Sequence, residues 1–216
     1  VVDSLMAPGG QVLVARYGKV IYHKSFGYQT YDKKQAVKLT DLYDLASVTK
    51  ITGGLPMIMK SEEAGLINLD ETLSELMPYL KGSNKDTITL KEALSHIAKI
   101  KPWIPYYLET IDSITKKPFP NLYRTKKSEG FSIKITENLY LIDSYTDSIY
   151  KRIAQVPQLK EEGYKYSGLL FYLLKKYLKD TFHKEMDELN NENFYKPLGA
   201  TTLGYNPLTK FNTSEI

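Results

Sequence analysis

The chain has 216 residues, a net charge of +4 at pH 7 and no cysteine, and this length suits one large domain or two small ones. The lack of cysteine excludes disulfides, thiol catalysis and cysteine-ligated zinc. The basic residues are dispersed, so we expect no nucleic-acid partner, and no apolar run reaches membrane-spanning length, so we expect no integral membrane segment.

The chain opens with a predicted β-hairpin. Residues 11–16 and 19–26 are rich in β-branched and aromatic side chains, with Gly18 at the turn. After a polar loop, apolar residues at helical spacing predict a helix over 48–64, which Gly65 is placed to end. Two glycines and a proline inside this helix lower its propensity, and close packing against a neighbour would explain them.

Beyond this helix, capping signals predict two short helices. Asp70 is placed as an N-cap, and Thr89 with Glu92 has the spacing of a capping box. The Pro-rich stretch 99–140 is irregular and is interpreted as a long loop over a cleft. Further helices are predicted at 146–155, 167–180 and 184–195, followed by a closing loop.

The predicted strands are concentrated at the start, and the remainder is mostly helical. Two strands alone make a marginal sheet, so we expect further strands of the same domain after residue 216. We therefore interpret 1–216 as a single incomplete domain, in which about 70–160 is a mostly helical and loop subregion.

Ser47 and Lys50 stand three residues apart in "LASVTK", where a loop turns into an apolar helix. A serine hydroxyl needs a base beside it to act as a nucleophile, and burial disfavours the charged form of an amine, so a buried lysine can take that proton. The alternative is that Ser47 caps the helix while Lys50 reaches solvent. The same spacing recurs at Ser113 and Ser148, but in polar or charged surroundings.

Several phrases occur in the order found in one known family. They are the hairpin with "LASVTK", then "EAGLINLDETLSELMPYL", "TITLKEALSH", "EEGYKYSGLLFYLLKKYL" and "FYKPLGATTLGYNPL". From about residue 9 to residue 208 the chain resembles the serine β-lactamase and penicillin-binding-protein superfamily, closest to its class C and esterase-like branch. The resemblance implies an α/β (α+β) sandwich, with an antiparallel sheet flanked by helices and the C-terminal strands missing.

The resemblance also implies roles for individual residues. Ser47 would be the nucleophile that forms an acyl-enzyme, and Lys50 its base, or the charge that lets another group act as base. Tyr166 matches the second-motif tyrosine, which passes a proton to the leaving group. Gly168 stands where members have the Asn or Asp that holds substrate, and the third motif, Lys-Thr-Gly or His-x-Gly, is absent. Other expected substrate-binding residues are Trp103, Tyr106 and Tyr107.

The histidines point to no better site. Their spacing matches no metal-binding motif, and we expect no metal and no cofactor. His96 follows Ser95 in "SHIAKI", where the family has "THTSGL". We interpret His96 as a structural hydrogen-bonding residue rather than the base of a Ser-His-Asp triad.

The resemblance thus predicts a serine hydrolase that acts through an acyl-enzyme on an amide or ester. The substrate would be a small molecule or peptide: a β-lactam, a D-alanyl peptide or a related ester. "KPWIPYY" is similar to a subgroup fused to glycoside hydrolases of bacterial cell-wall recycling, so we expect such a fusion. A periplasmic or cell-surface location is favoured over a cytoplasmic one.

Two other interpretations stay open. The first is a catalytically impaired family member that binds cell-wall fragments or a partner domain, which the side chain missing at Gly168 favours. The second is a helical interaction module with no catalytic role.

Overall fold

The structure is a computed structural model that describes residues 2–213 and 215–216. The strands are β1 (Gly9–Arg16), β2 (Lys19–Gly27), β3 (Tyr123–Arg124), β4 (Ile133–Thr136) and β5 (Leu139–Leu141). The α-helices are α1 (Leu55–Glu63), α2 (Leu73–Leu76), α3 (Leu90–Leu94), α4 (Tyr145–Gln155), α5 (Leu169–Phe182) and α6 (Met186–Asn190). The chain divides into two compact units, Val1–Ser47 with Asn191–Ile216, and Val48–Asn190. Helices with antiparallel sheets confirm the predicted mixed class.

The predicted hairpin is present in the first unit. β1 and β2 pair in antiparallel fashion from Gly9 opposite Gly27 to Arg16 opposite Lys19. Gly18 has a φ of 72°, a left-handed conformation that glycine adopts without strain. Many apolar side chains of this sheet remain exposed: Val12, Leu13, Val14, Val20, Ile21 and Phe26.

The predicted helix over 48–64 is divided into three parts. A 3₁₀ turn at Ala46–Val48 and a wider π-helical turn at Lys50–Gly54 precede α1. Gly54 is buried, and a Cβ there would lie 2.9 Å from a ring carbon of Phe171 in α5. Close approach to that ring therefore explains the glycine.

Only one of the two predicted caps is confirmed. Thr89 and Glu92 form the predicted capping box at the start of α3. The prediction for Asp70 is wrong, because α2 begins later and Thr72 forms a second capping box with Glu75. The same Thr-x-x-Glu spacing was present there in the sequence and marks the true start of the helix.

The stretch 99–140 contains strands that the sequence did not predict. β3, β5 and β4 form a small antiparallel sheet in that order. The strands span two to four residues each, which is too short for an alternating pattern to be recognised. The interpretation of 99–140 as an irregular loop is therefore wrong for these short strands.

The long helix α5 is the centre of the second unit. Its 14 residues begin two residues later than predicted, and its buried face consists of Leu169, Leu170, Leu173, Leu174 and Leu178. α4 lies close to the prediction, whereas the predicted helix over 184–195 is α6 followed by a π-helical turn at Asn191–Tyr195. Within the described part of the chain, no helix is long and apolar enough to cross a membrane.

A buried lysine fixes the end of α4. Lys85 is fully buried, and its Nζ donates hydrogen bonds to the Val156 carbonyl, at 2.6 Å, and to the Asn84 side chain. Asn84 Nδ2 donates to the same Val156 carbonyl at 3.0 Å. Burial lowers the pKa of Lys85 to about 8, because desolvation disfavours the ammonium form.

Candidate active site

Ser47 and Lys50 belong to different units of the chain. Ser47 is exposed in the 3₁₀ turn and is the last residue of the first unit's leading segment. Lys50 begins the π-helical turn of the second unit and is half-buried. A serine that solvent can reach thus precedes, by three residues, a lysine packed into the second unit.

Lys50 lies between two aromatic rings. Its Nζ is 5.7 Å from the ring centroid of Tyr166 and 5.7 Å from that of Phe171. Both distances are within the range in which an aromatic ring attracts a cation. The structure therefore brings together two of the predicted catalytic side chains, Lys50 and Tyr166, and adds Phe171, which the sequence did not single out.

The other Ser-x-x-Lys pairs have different surroundings. Lys116 and Lys151 are both exposed, as are Ser113 and Ser148. Of the three lysines in this pattern, Lys50 is the one that is partly buried.

Gly168 lies directly beside the Lys50 side chain. A Cβ at this position would be 3.8 Å from Lys50 Cε and 4.0 Å from its Nζ, which is ordinary contact. The φ of −82° and ψ of −15° are right-handed helical values that any residue adopts. The backbone therefore does not require glycine, and its presence removes a side chain from the surroundings of Lys50.

His96 packs against the same cluster. Its Nδ1 accepts a hydrogen bond from the Ser167 backbone N–H at 3.2 Å, and its ring centroid is 4.7 Å from that of Tyr166. Burial and then the charge of Lys50 hold the pKa of His96 below its usual value. The predicted hydrogen-bonding role is confirmed, but its place beside Lys50 and Tyr166 was not predicted, although the match of "SHIAKI" to "THTSGL" was a signal for it.

A loop over 101–105 fixes the residues that follow Tyr166. The Ser167 hydroxyl donates to the Lys101 carbonyl at 2.8 Å, and the Gly168 N–H donates to the Pro102 carbonyl at 3.0 Å. Ser167 Oγ also accepts from the Leu169 N–H at 3.2 Å. Ser167, which precedes the N-cap residue Gly168, thus binds the first N–H of α5 and anchors the loop at the same time.

The three aromatic residues predicted to line a cleft differ in their surroundings. Trp103 follows Pro102 directly and, like Tyr107, is largely exposed. Tyr106 packs edge-on against Tyr172, and burial raises its pKa. The Tyr106 hydroxyl is buried with no hydrogen-bond partner among the residues described. Their role as substrate-binding residues stays a prediction.

The fold is that of β-lactamases and penicillin-binding proteins. A class C beta lactamase from Rhodobacter sphaeroides superposes with a TM-score of 0.63 at 18% identity, over 92% of this chain and 46% of that one. The octameric penicillin-binding protein homologue from Pyrococcus abyssi superposes with a TM-score of 0.66 at 20% identity, over 98% and 44%.

Sequence comparison defines the family. The model of the Beta-lactamase family matches residues 1–211, and the chain belongs to this family. "Protein flp" of Staphylococcus aureus (strain NCTC 8325 / PS 47) is 35% identical over 113 residues, which is 51% of this chain and 22% of that protein. "Penicillin-binding protein 4*" of Bacillus subtilis (strain 168) is 29% identical over 104 residues, 48% and 22%. The aligned regions thus span about a fifth of the length of these relatives.

Proposed function

We propose that this chain carries serine-hydrolase chemistry, with Ser47 forming an acyl-enzyme from an amide or ester. Family membership supports acyl-enzyme chemistry at the level of the superfamily. The observation that carries the assignment of residues is the position of Lys50, half-buried beside the Tyr166 ring and three residues after Ser47. The proposed substrate is a β-lactam, a D-alanyl peptide or a related ester.

The proposed reaction has two halves. Ser47 Oγ attacks the carbonyl carbon, a C–O bond forms, and the hydroxyl proton passes to the Lys50–Tyr166 pair. The Ser47 N–H helps to hold the oxyanion that develops. When the tetrahedral species collapses, the bond to the leaving nitrogen or oxygen breaks and the same pair returns the proton to it. Water then attacks the Ser47 ester, which releases the acid and restores the hydroxyl.

Lys50 can serve this scheme in two ways. As a neutral amine it takes the proton itself. As a cation it favours the ionised form of the Tyr166 phenol, which then takes the proton. The rings of Tyr166 and Phe171 around Nζ attract a cation and so support the second way.

A second candidate function is binding without turnover. Gly168 places no side chain beside Lys50, whereas the family pattern has an amide or carboxylate at this position. A member without that group would keep the fold and bind cell-wall fragments or a partner domain without turnover.

Labelling with a fluorescent penicillin separates the two functions. We expect one adduct per chain in the unmodified protein, and none in Ser47→Ala. Lys50→Met should slow labelling at least about a hundredfold, as for loss of an acid–base group. Ser113→Ala and Lys151→Met are matched controls, since they alter the exposed Ser-x-x-Lys pairs, and should label normally. A folded chain that takes up no penicillin would support the binding function instead.

The location and the neighbouring domain stay part of this proposal. Relationship to penicillin-binding proteins and β-lactamases supports a periplasmic or cell-surface site of action. Fusion to a cell-wall glycoside hydrolase domain stays a prediction.

A further inference from the structure

His96 occupies a position that is usually held by glycine. It follows α3, where its N–H donates to the Ala93 carbonyl at 3.2 Å and the Ile97 N–H donates to the Glu92 carbonyl at 3.1 Å. These two bonds end the helix as in a Schellman motif, whose residue at this point takes a left-handed conformation. The φ of His96 is 59°, which costs a residue with a Cβ free energy that it does not cost glycine. Contacts that glycine lacks therefore have to offset this cost.

His96 contacts four consecutive residues of the segment before α5. Its carbonyl accepts the Lys165 N–H at 2.7 Å, and its Nδ1 accepts the Ser167 N–H at 3.2 Å. Its ring lies edge-on to the Tyr164 ring, with the centroids 5.8 Å apart, and is tilted against the Tyr166 ring at 4.7 Å. One residue thus binds the backbone on both sides of Tyr166 and packs against its ring.

These contacts bear on the position of Tyr166 beside Lys50. His96, Tyr166 and Lys50 all belong to the second unit, and Lys50 Nζ lies 5.7 Å from the centroid of the Tyr166 ring. Tyr166 is 42% exposed, so burial alone does not fix its ring. The contacts with His96 therefore restrain the ring in its place beside Lys50.

The bond from His96 Nδ1 depends on a neutral imidazole. A protonated Nδ1 is a donor and would face the Ser167 N–H, which is also a donor. The titratable side chains near the His96 ring are Tyr164 and Tyr166, which pack against it, and Lys50 on the π-helical turn. Burial and then the Lys50 charge hold the pKa of His96 below its usual value, so the imidazole is predominantly neutral at pH 7.

We propose that neutral His96 is a positioning residue that holds Tyr166 beside Lys50, and that protonation of His96 releases Tyr166 from this position. The inference rests on the proposed function for the reaction that the pair serves, and on the contacts of His96 for the position of Tyr166. It assigns His96 no proton transfer and no contact with the reacting atoms.

A second anchor keeps the start of α5 in place when His96 is changed. The Ser167 hydroxyl donates to the Lys101 carbonyl at 2.8 Å, and the Gly168 N–H donates to the Pro102 carbonyl at 3.0 Å. Substitutions of His96 should therefore alter the segment 164–166 and leave α5 intact.

Two variants with the same backbone preference test the positioning. Asparagine and glycine both adopt the left-handed φ of residue 96, but only asparagine offers an acceptor to the Ser167 N–H. Time-resolved labelling at several concentrations of a fluorescent penicillin gives the limiting rate of acylation and the half-saturation concentration. At pH 7.5 we expect the limiting rate of His96→Gly to be about tenfold below that of His96→Asn, since one hydrogen bond is lost, with the same half-saturation concentration. Equal limiting rates, or a change in the half-saturation concentration alone, would overturn the inference.

The pH profile separates positioning from a purely structural role. Between pH 8 and pH 5 the limiting rate of the unmodified chain should fall at least about threefold more than that of His96→Asn, because asparagine does not titrate and keeps its bond. His183 is a matched control, since it is exposed and has a left-handed φ of 55°. His183→Asn should keep the profile of the unmodified chain. Parallel profiles of the unmodified chain and His96→Asn would overturn the inference.

A measurement without substrate separates this inference from the proposed function. Nuclear Overhauser contacts between the Tyr166 ring and the Lys50 ε-methylene report the position directly, and Tyr166→Phe identifies the ring signals. At pH 7.5 we expect these contacts in the unmodified chain and in His96→Asn, and we expect their loss in His96→Gly.

The outcomes of the two proposals are thus distinguishable. If penicillin labels Ser47 but the contacts and the limiting rates are the same in His96→Asn and His96→Gly, the positioning inference fails and the acyl-enzyme proposal stands. If no labelling occurs but the contacts are lost in His96→Gly, the acyl-enzyme proposal fails and the positioning of Tyr166 by His96 stands.

Discussion

His96 accepts a hydrogen bond through Nδ1 from the backbone N–H of Ser167, at 3.2 Å. This bond joins the loop after α3 to the residue that follows Tyr166, and it requires a neutral imidazole with its proton on Nε2. Protonation of Nδ1 would replace the acceptor by a donor and break the bond. We therefore expect the position of Tyr166 beside Lys50 to depend on the protonation state of His96.

The first prediction concerns the pH dependence of stability. The folded-state pKa of His96 lies below its ordinary value of about 6.5, because of burial and the Lys50 charge. The unfolded state therefore binds a proton first as the pH falls, and the free energy of unfolding should decrease as the pH falls below about 6.5. His96→Asn keeps an acceptor and suits the left-handed φ of 59°.

Urea unfolding followed by circular dichroism between pH 8 and pH 5 measures this effect. We expect a smaller loss of stability at low pH in His96→Asn than in the unmodified chain, whatever the absolute stability of the variant. Identical pH dependence in the two proteins would show that His96 does not titrate in this way.

The second prediction concerns the side chain missing at Gly168. A Cβ at position 168 would make ordinary contact with the Lys50 side chain. The backbone at this position has right-handed helical angles. Gly168→Asn should raise the rate of acylation by penicillin about tenfold, because an amide beside Lys50 adds a hydrogen bond of about 1.5 kcal/mol. Gly168→Ala fills the same space without the amide and should leave the rate unchanged. Equal rates for Asn and Ala at this position would contradict the prediction.

The third prediction concerns the buried Lys85. Lys85→Met removes a desolvated ammonium group, while the Val156 carbonyl keeps its bond from Asn84. At pH 7 we expect the variant to be as stable as the unmodified chain or about 1 kcal/mol more stable, since burial of an ammonium group without an acidic partner costs free energy that an apolar side chain does not.

The effect of Lys85→Met should depend on pH in a defined direction. The folded-state pKa is lowered to about 8, so above pH 8 the unfolded state holds more protons and the unmodified chain gains stability. The advantage of the variant should therefore shrink between pH 7 and pH 9.5 in chemical unfolding. A constant difference over this range would show that Lys85 has an ordinary pKa.

The sequence predicted the elements whose patterns are local. The hairpin, the capping box of Thr89 and the helices α4 and α5 follow from alternation, cap spacing and helical period. The sheet of β3, β4 and β5 was missed because its strands are too short to show a pattern, and Asp70 was wrongly preferred over Thr72. The short strands depend on tertiary contacts and have no local signal, whereas the Thr72 cap has a local signal in its spacing from Glu75.

The same distinction between local patterns and tertiary contacts applies to the candidate site. Lys50, Tyr166 and Gly168 were singled out because ordered motifs in the sequence carry them, and their roles stay predictions. The contact of Phe171 with Lys50 arises where separate segments meet in space. A single sequence contains no local pattern that predicts such contacts.

Identification of the acylated residue tests the central claim most directly. After reaction with penicillin, trypsin cleavage after Lys38 and Lys50 gives a peptide over 39–50 that contains a single serine, Ser47. Tandem mass spectrometry should find the penicilloyl mass on that serine, at close to one adduct per chain. An adduct on a serine elsewhere, or an unmodified 39–50 peptide from labelled protein, would contradict the assignment of Ser47 as the nucleophile.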